Sequence, residues 1–417
     1  MTKKSVLIIG DHPQSLAVVR ALGAHNYGCI LATDKNFSIA NLSRFCLKKW
    51  HCPRISSAQF GLQLATFLKK HPNIVAIFPI GIEEIRATQK LDPKYTGELP
   101  IVSVSEQILE TFHDKNLANT TAEQAGVKVP QSVNAENLDE LRGAVDLVGY
   151  PIIIKSADNA GPVLGRKAYI VHSQDELAAA FSKWPTGHSQ LQVQEYIVGK
   201  MQGADFGANN GKLIAYYQGA HGRTDSPDGT GMVVEFLPKA PCPKVLNMTQ
   251  ALVAHTNYSG PGLLQCIVSE KDGEAYFIEI NPRLSAGCAE VILADLNLPL
   301  ILLEAASTGK SEPINEIADI TYNLNSRVHW LERDYLGFVS NFPRQRLQEN
   351  LQALIALIKS SILCKSHINW RWHDPLPSLG IFYKYVHGVI CNKLLMRRQT
   401  KATEHTTSKP AINAHKH

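Results

Sequence analysis

The sequence predicts a mixed α/β protein that opens with a parallel sheet and later turns antiparallel. Three observations carry this. Short apolar runs alternate with helix-spaced segments over roughly the first hundred residues, a hairpin pattern lies near residue 270, and 417 residues exceed what one hydrophobic core usually supports.

Residues 5–10, Ser-Val-Leu-Ile-Ile-Gly, read as a buried parallel strand, and residues 14–22 follow with Leu16, Val19 and Leu22 on one helical face. Residues 28–34 read as a second strand, 60–70 as a helix and 74–79 as a further strand. The turn after the first strand, Gly10-Asp-His-Pro-Gln-Ser15, lacks the Gly-x-Gly-x-x-Gly series that admits a pyrophosphate, which excludes a dinucleotide site there. Asp11 or Ser15 is expected to cap the helix instead.

From residue 106 a helical stretch containing Asp114 and Lys115 leads through residues 126–130 to a helix over 138–148. Residues 149–155 form a continuous apolar strand that ends in Lys155 and so delivers one positive charge to a defined place. Residues 156–165, with Gly161, Pro162 and Gly165, read as a loop, and 168–171 resume a strand. Residues 190–199 and 212–217 are strand-like, whereas 221–231 carry little secondary-structure signal and look mobile. Residues 263–268 and 275–280 flank the turn Glu270-Lys-Asp-Gly273 as a β-hairpin.

That hairpin carries the chemistry. Glu279 and Asn281 are two apart and share a strand face, and pairing can set Gln265 beside them. Three oxygen-bearing side chains suit magnesium, which takes few protein ligands and completes its shell with water and nucleotide phosphates. Arg283 adds a cation for phosphate oxygens. Spacing alone leaves a second reading open, a solvated polar strand end closed by Asn-Pro.

The run from Gly260-Pro-Gly-Leu-Leu-Gln265 to Glu279-Ile-Asn-Pro-Arg283 resembles the metal-binding hairpin of ATP-grasp enzymes, especially the carbamoyl phosphate synthetase large chain and carboxylate–amine ligases, where Gln or Glu and Glu stand fourteen residues apart as they do here. The resemblance covers most of residues 1–310. It implies an ATP-grasp fold: an N-terminal open parallel sheet, a small α+β subdomain, a larger antiparallel-sheet subdomain and, beyond them, a helical C-terminal extension. The corresponding boundaries are 1–105, 106–310 with the small nucleotide-covering part at about 125–195, 311–398, and a disordered basic tail over 399–417. It further implies Lys115 and Lys155 on ATP phosphates, Gln194, Glu195, Tyr196 and Ile197 at the adenine, Gly161 and Gly165 in the phosphate-covering loop, and Gln265, Glu279 and Asn281 on Mg2+, with Mn2+ as a substitute. Arg283, Lys155 and Arg223 are the catalytic cations it suggests, and His221 lies near the same place. Two departures stand out. The loop reads Gly161-Pro-Val-Leu-Gly165 rather than a run of glycines, and Met201-Gln202 replaces an acidic ribose contact.

The expected activity is ATP-dependent ligation: a carboxylate becomes an acyl phosphate that an amine or similar nucleophile captures, with release of ADP and phosphate. Carbamoyl- or carboxyphosphate synthesis and a degenerate ATP-binding module are the alternatives.

Composition sets the class. Hydrophobic residues make up 44% and charged residues 19%, no apolar run reaches membrane-spanning length, and eight cysteines lack any Cys-x-x-Cys pair, so a cytoplasmic chain with reduced thiols is expected. Cys46, His51 and Cys52 cluster locally without the spacing of a zinc site. Seven Lys/Arg against one Glu fall in residues 381–417, which accounts for the net charge of +5 and argues against a nucleic-acid-binding body. Residues 347–363 read as a helix. Ile381, Phe382, Tyr385, Val386, Val389 and Ile390, with Lys384, Lys393, Arg397 and Arg398, describe either a packed terminal helix or an interfacial one at the inner membrane face. A homodimer is the remaining partner expectation.

Overall fold

The computed structural model describes residues 3–157, 160–166, 168–225 and 233–385, with residue 344 described by its backbone alone. The chain adopts the expected α/β class as three sheets. The first is parallel, in the order β3-β2-β1-β4, from β1 (Ser5–Ile9), β2 (Gly28–Thr33), β3 (Cys46–His51) and β4 (Ile74–Pro79). β1 and β2 are buried along their whole length, which is why they read as unbroken apolar runs. The edge strand β3 has a mixed polar sequence, Cys-Leu-Lys-Lys-Trp-His, and left no such signal. It contains Cys46 and His51, and Cys52 follows its last residue. Among the described residues no group of three or more His, Cys, Asp or Glu could hold a metal.

The second sheet, β5-β8-β6-β7, contains β5 (Ser132–Ala135), β6 (Ile152–Ser156), β7 (Tyr169–Val171) and β8 (Leu191–Glu195). Its apolar face packs on the helices Leu138–Val148 and Gln174–Ala180 to make a core of its own, with Ile152, Ile154, Val193 and Leu141 at 0–1% exposure.

The third sheet has seven strands in the order β13-β12-β9-β10-β11-β14-β15. Its members are β9 (Gly199–Asn209), β10 (Lys212–Thr224), β11 (Val233–Pro238), β12 (Gly260–Ser269), β13 (Ala275–Asn281), β14 (Val328–His329) and β15 (Ser366–His367). All of its pairings are antiparallel except β14 with β15. One face buries Phe206, Tyr216, Phe277 and Ile280 against the helices Glu106–His113, Lys115–Gln124 and Pro243–His255. The other face joins the N-terminal sheet: Tyr217 shares a core with Val6, Ile8, Val19 and the helices Cys288–Leu293 and Leu298–Thr308. Burial of one such large side chain is worth about 1.5–3 kcal/mol, so this shared core ties the two sheets firmly together.

The structure departs from the sequence expectations in three places. The helical stretch around Asp114 is two helices, because Asp114 leaves helical geometry (φ −84, ψ 119) and its carboxylate accepts from the amides of Asn116 and Leu117. Residues 190–199 divide between β8 and the start of β9, and β10 runs on through His221 and Arg223 to Thr224. The C-terminal region is not purely helical: β14 and β15 extend the large sheet, and a helix over 376–385 follows the long helix Leu347–Leu363.

Candidate active site

The ribbon β12/β13 sets Gln265 opposite Glu279 and Leu263 opposite Asn281. The register slips between Gln265 and Cys266, whose partner is Phe277, so Ile278 is an extra residue on β13. That slip decides which face Glu279 occupies. Ala275 and Phe277 are buried before it and Ile280 after it, so unbroken alternation would have pointed Glu279 into the core with Phe277. The bulge turns Glu279 and Asn281 outward together, and Asn281 Nδ2 donates to Glu279 Oε1 at 2.8 Å. One carboxylate and two amide oxygens on neighbouring strand positions fit a hard cation that takes its remaining ligands from phosphate and water.

Opposite the ribbon stand two lysines. Lys155 Nζ, near the end of β6, donates to Gln194 Oε1 at 2.9 Å, and Lys115 Nζ, at the first position of its helix, donates to the Ser156 carbonyl at 3.2 Å. Burial, reinforced by the nearby Lys115 charge, brings the Lys155 ammonium down to about 8, while the Glu279 carboxylate acts in the opposite sense. Lys155 therefore lies within electrostatic reach of both Lys115 and Glu279. Neither lysine forms an ion pair among the described residues. Among the described residues, a buried ammonium beside a second lysine, with one carboxylate acting on it, leaves positive charge in a poorly solvated place, which is the electrostatic form of a polyanion site.

Arg283 is lowered by burial, opposed by Glu279 and Asp205, and its Nη1 donates to the Leu284 carbonyl at 3.0 Å. It thus shares the neighbourhood of the ribbon. Gln194 is buried and occupied with Lys155, while the amides of Glu195 and Tyr196 donate to the carbonyls of Gln131 and Pro151. Glu195 itself is half-buried and Ile197 is buried beside it. In the loop, Val163 and Arg166 exchange two backbone hydrogen bonds of 2.8 and 2.9 Å around Leu164 (φ +49) and Gly165 (φ +78). This is a tight two-residue turn with both central residues left-handed, so the segment is stiffer at this point than a glycine run.

Arg223 is drawn elsewhere. Its Nε donates to Glu235 Oε1 at 3.0 Å, Nη1 to Asp334 Oδ1 at 3.0 Å and Nη2 to Ser360 Oγ at 3.1 Å, with a further Nη2 contact to Asp334. This network locks β10 and β11 to the C-terminal helices. His221, by contrast, lines a cavity with Gln265. Of the C-terminal residues, Ile381, Tyr385 and Lys384 line a cavity with Lys35 and Arg333, and Phe382 meets the Tyr335 ring at 5.8 Å. Val386, Val389, Ile390, Lys393, Arg397 and Arg398 lie outside the described residues.

Sequence reasoning missed Asp205 and Glu290. Asp205 sits on β9 beside Arg283, and the inward alternation of Ala204, Phe206 and Ala208 was the available signal for that strand. Glu290 is in the helix Cys288–Leu293, seven residues past Arg283, and nothing local distinguishes it from a surface glutamate.

Residues 114–200 match the family model described as "Carbamoyl-phosphate synthase L chain, ATP binding domain". The formate-dependent phosphoribosylglycinamide formyltransferase of Wolinella succinogenes is 27% identical over 207 residues, covering 48% of this chain and 52% of that protein. The carbamoyl phosphate synthase large chain of Sulfolobus acidocaldarius is 24% identical over 224 residues, 52% of this chain and 20% of that one. The chain thus spans about half or less of the length of these two relatives. Among solved structures, N5-carboxyaminoimidazole synthetase from Staphylococcus aureus complexed with ADP superposes with a TM-score of 0.57 over 82% of this chain and 86% of that one, at 14% identity. The L-amino acid ligase from Bacillus licheniformis superposes with a TM-score of 0.53 over 75% and 79%, also at 14% identity. At such identity the likeness is one of fold.

Proposed function

We propose that this chain, which has the ATP-grasp fold and matches the carbamoyl-phosphate synthase ATP-binding domain over residues 114–200, is an ATP-dependent ligase that activates a carboxylate as an acyl phosphate for an amine. The observation that carries the reading is the pairing of Lys115 and Lys155, without ion pairs among the described residues, with the outward ribbon of Gln265, Glu279 and Asn281. When bound, MgATP supplies the phosphoryl group and a divalent charge. Glu279, Asn281 and Gln265 would hold the metal, and Lys115 and Lys155 would bind phosphate oxygens. Arg283 would face the transferring group. Phosphoryl transfer asks mainly for positioning and charge neutralisation, which is what this set provides. The segment Gln194–Ile197 would read the adenine from the hinge between β8 and β9, and the turn around Gly165, with Gly161, would cover the phosphates and keep water from the activated acyl group. Arg223 we assign to holding the C-terminal helices rather than to the phosphates.

The test is magnesium-dependent ADP release from purified protein across pools of carboxylates and amines. Glu279→Ala is expected to lower it by two orders of magnitude or more, at about 3 kcal/mol for a lost charge-stabilising group. ADP release that persists unchanged in this variant would remove the metal assignment.

A further inference from the structure

Next to the ribbon is a cavity of about 160 Å³ that the phosphate chemistry leaves unused. Its wall combines Gln265 with His221 of β10, Asp205 of β9, and Ser285 and Glu290 from the segment after Arg283. Asp205, Ser285 and Glu290 are 6%, 3% and 7% exposed. Asp205 Oδ1, Ser285 Oγ and Glu290 Oε2 are shielded from solvent and make no hydrogen bond of good geometry, although the Ser285 hydroxyl lies close enough to Asp205 to favour its ionised form. Buried acceptors are normally satisfied, and a carboxylate oxygen left bare is the costliest kind.

The backbone makes room for this arrangement. A Cβ at Gly219 would stand 3.0 Å from Glu290 Oε1, and one at Gly287 would stand 3.3 Å from Glu290 Oε2. Side chains at either position would press on the carboxyl group. Partial burial lowers His221, which favours the neutral imidazole at the cavity wall over one that would repel a cation. Burial raises both Asp205 and Glu290; the Asp205 charge raises Glu290 further, whereas Ser285 and Arg283 partly offset the burial of Asp205, and a bound cation would relieve the remaining cost.

Two buried carboxyl groups with a hydroxyl between them call for a donor with several N–H groups and a positive charge. A primary ammonium has three donors and no acceptor, which matches the set. We propose that this cavity seats the primary ammonium group of the nucleophilic substrate, held by Asp205, Glu290 and Ser285 beside the ribbon that carries Gln265. The proposal rests on the ligase reading and narrows its nucleophile to a primary amine. The cavity takes the amino end and a few further atoms, so larger substrates extend out past Met201 and Phe236 at its rim.

Calorimetric titration of the full chain tests this with glycinamide as the probe and choline as a control whose ammonium carries no N–H, each with and without magnesium and a non-hydrolysable ATP analogue. Glycinamide is expected to bind and choline not to. Glu290→Gln and Asp205→Asn are expected to weaken glycinamide at least about tenfold, the effect of one charge-assisted hydrogen bond. Circular dichroism confirms that each variant is folded, and either variant alone suffices. Absence of glycinamide binding to the parent protein, equal binding by choline, or undiminished binding by a folded variant would overturn the assignment, with the cavity then holding water only. Binding of the ATP analogue is read in the same titrations. Its failure alongside intact glycinamide binding would remove the ligase reading and leave the ammonium site standing.

Discussion

Lys155 holds its ammonium on Gln194 with a second lysine close by, and its depressed value of about 8 has a consequence for nucleotide binding. Below pH 8 the free protein already carries the proton that a triphosphate needs. Above it, binding must take a proton up, so MgATP affinity is expected to fall by up to about tenfold per pH unit between pH 8 and 9.5. Calorimetry in buffers of different ionisation enthalpy should register that proton uptake, and Lys155→Met should abolish both the uptake and the slope. A flat profile in the parent protein would show that Lys155 does not meet the phosphates. Lys155 was legible in the sequence because a long apolar strand ended in it. The fate of Arg223 was not, because its partners Asp334 and Ser360 are 111 and 137 residues away and no local pattern announces them.

Among the elements, the helix Lys115–Gln124 depends on a single cap. Asp114 accepts from two amides at 2.9 Å each and fixes the break that places Lys115 at the first helical position, where the helix dipole disfavours a cation. Asp114→Ala is expected to cost about 0.5–2 kcal/mol in chemical denaturation and to weaken MgATP by loosening Lys115. Unchanged nucleotide affinity in a measurably destabilised variant would separate the cap from the site. The hairpin turn, the residue types on it and the two-residue spacing of Glu279 and Asn281 could all be read from sequence. The bulge at Ile278 could not, since Ala275, Phe277 and Glu279 alternate in step and only pairing with β12 shows that one residue is skipped.

Across the whole molecule, the chain returns on itself. Asp374, 2% exposed, accepts from Arg20 Nε at 2.8 Å, Ser43 Oγ at 2.7 Å and the Arg44 amide at 2.9 Å, while Arg20 Nη1 donates to the Asn369 carbonyl at 2.6 Å. The C-terminal segment is thereby clamped to the first helix of the N-terminal sheet. Asp374→Ala leaves the largely buried Arg20 without its carboxylate partner and is expected to cost about 3 kcal/mol, with limited proteolysis then cutting within residues 345–385. Equal protease resistance in the variant would show that apolar packing alone holds this segment. The small sheet, by contrast, has a core separate from the other two. Periodicity, turn residues and the Gln-Glu-Asn-Arg set were written in the sequence by itself, because each depends on neighbours within a few residues or on the spacing of two adjacent strands. The cavity of Asp205 and Glu290, the diversion of Arg223 and the clamp at Asp374 were decided only by tertiary structure. Burial and pairing join residues far apart along the chain, and a side chain's charge acquires its meaning from whichever distant groups the fold sets against it.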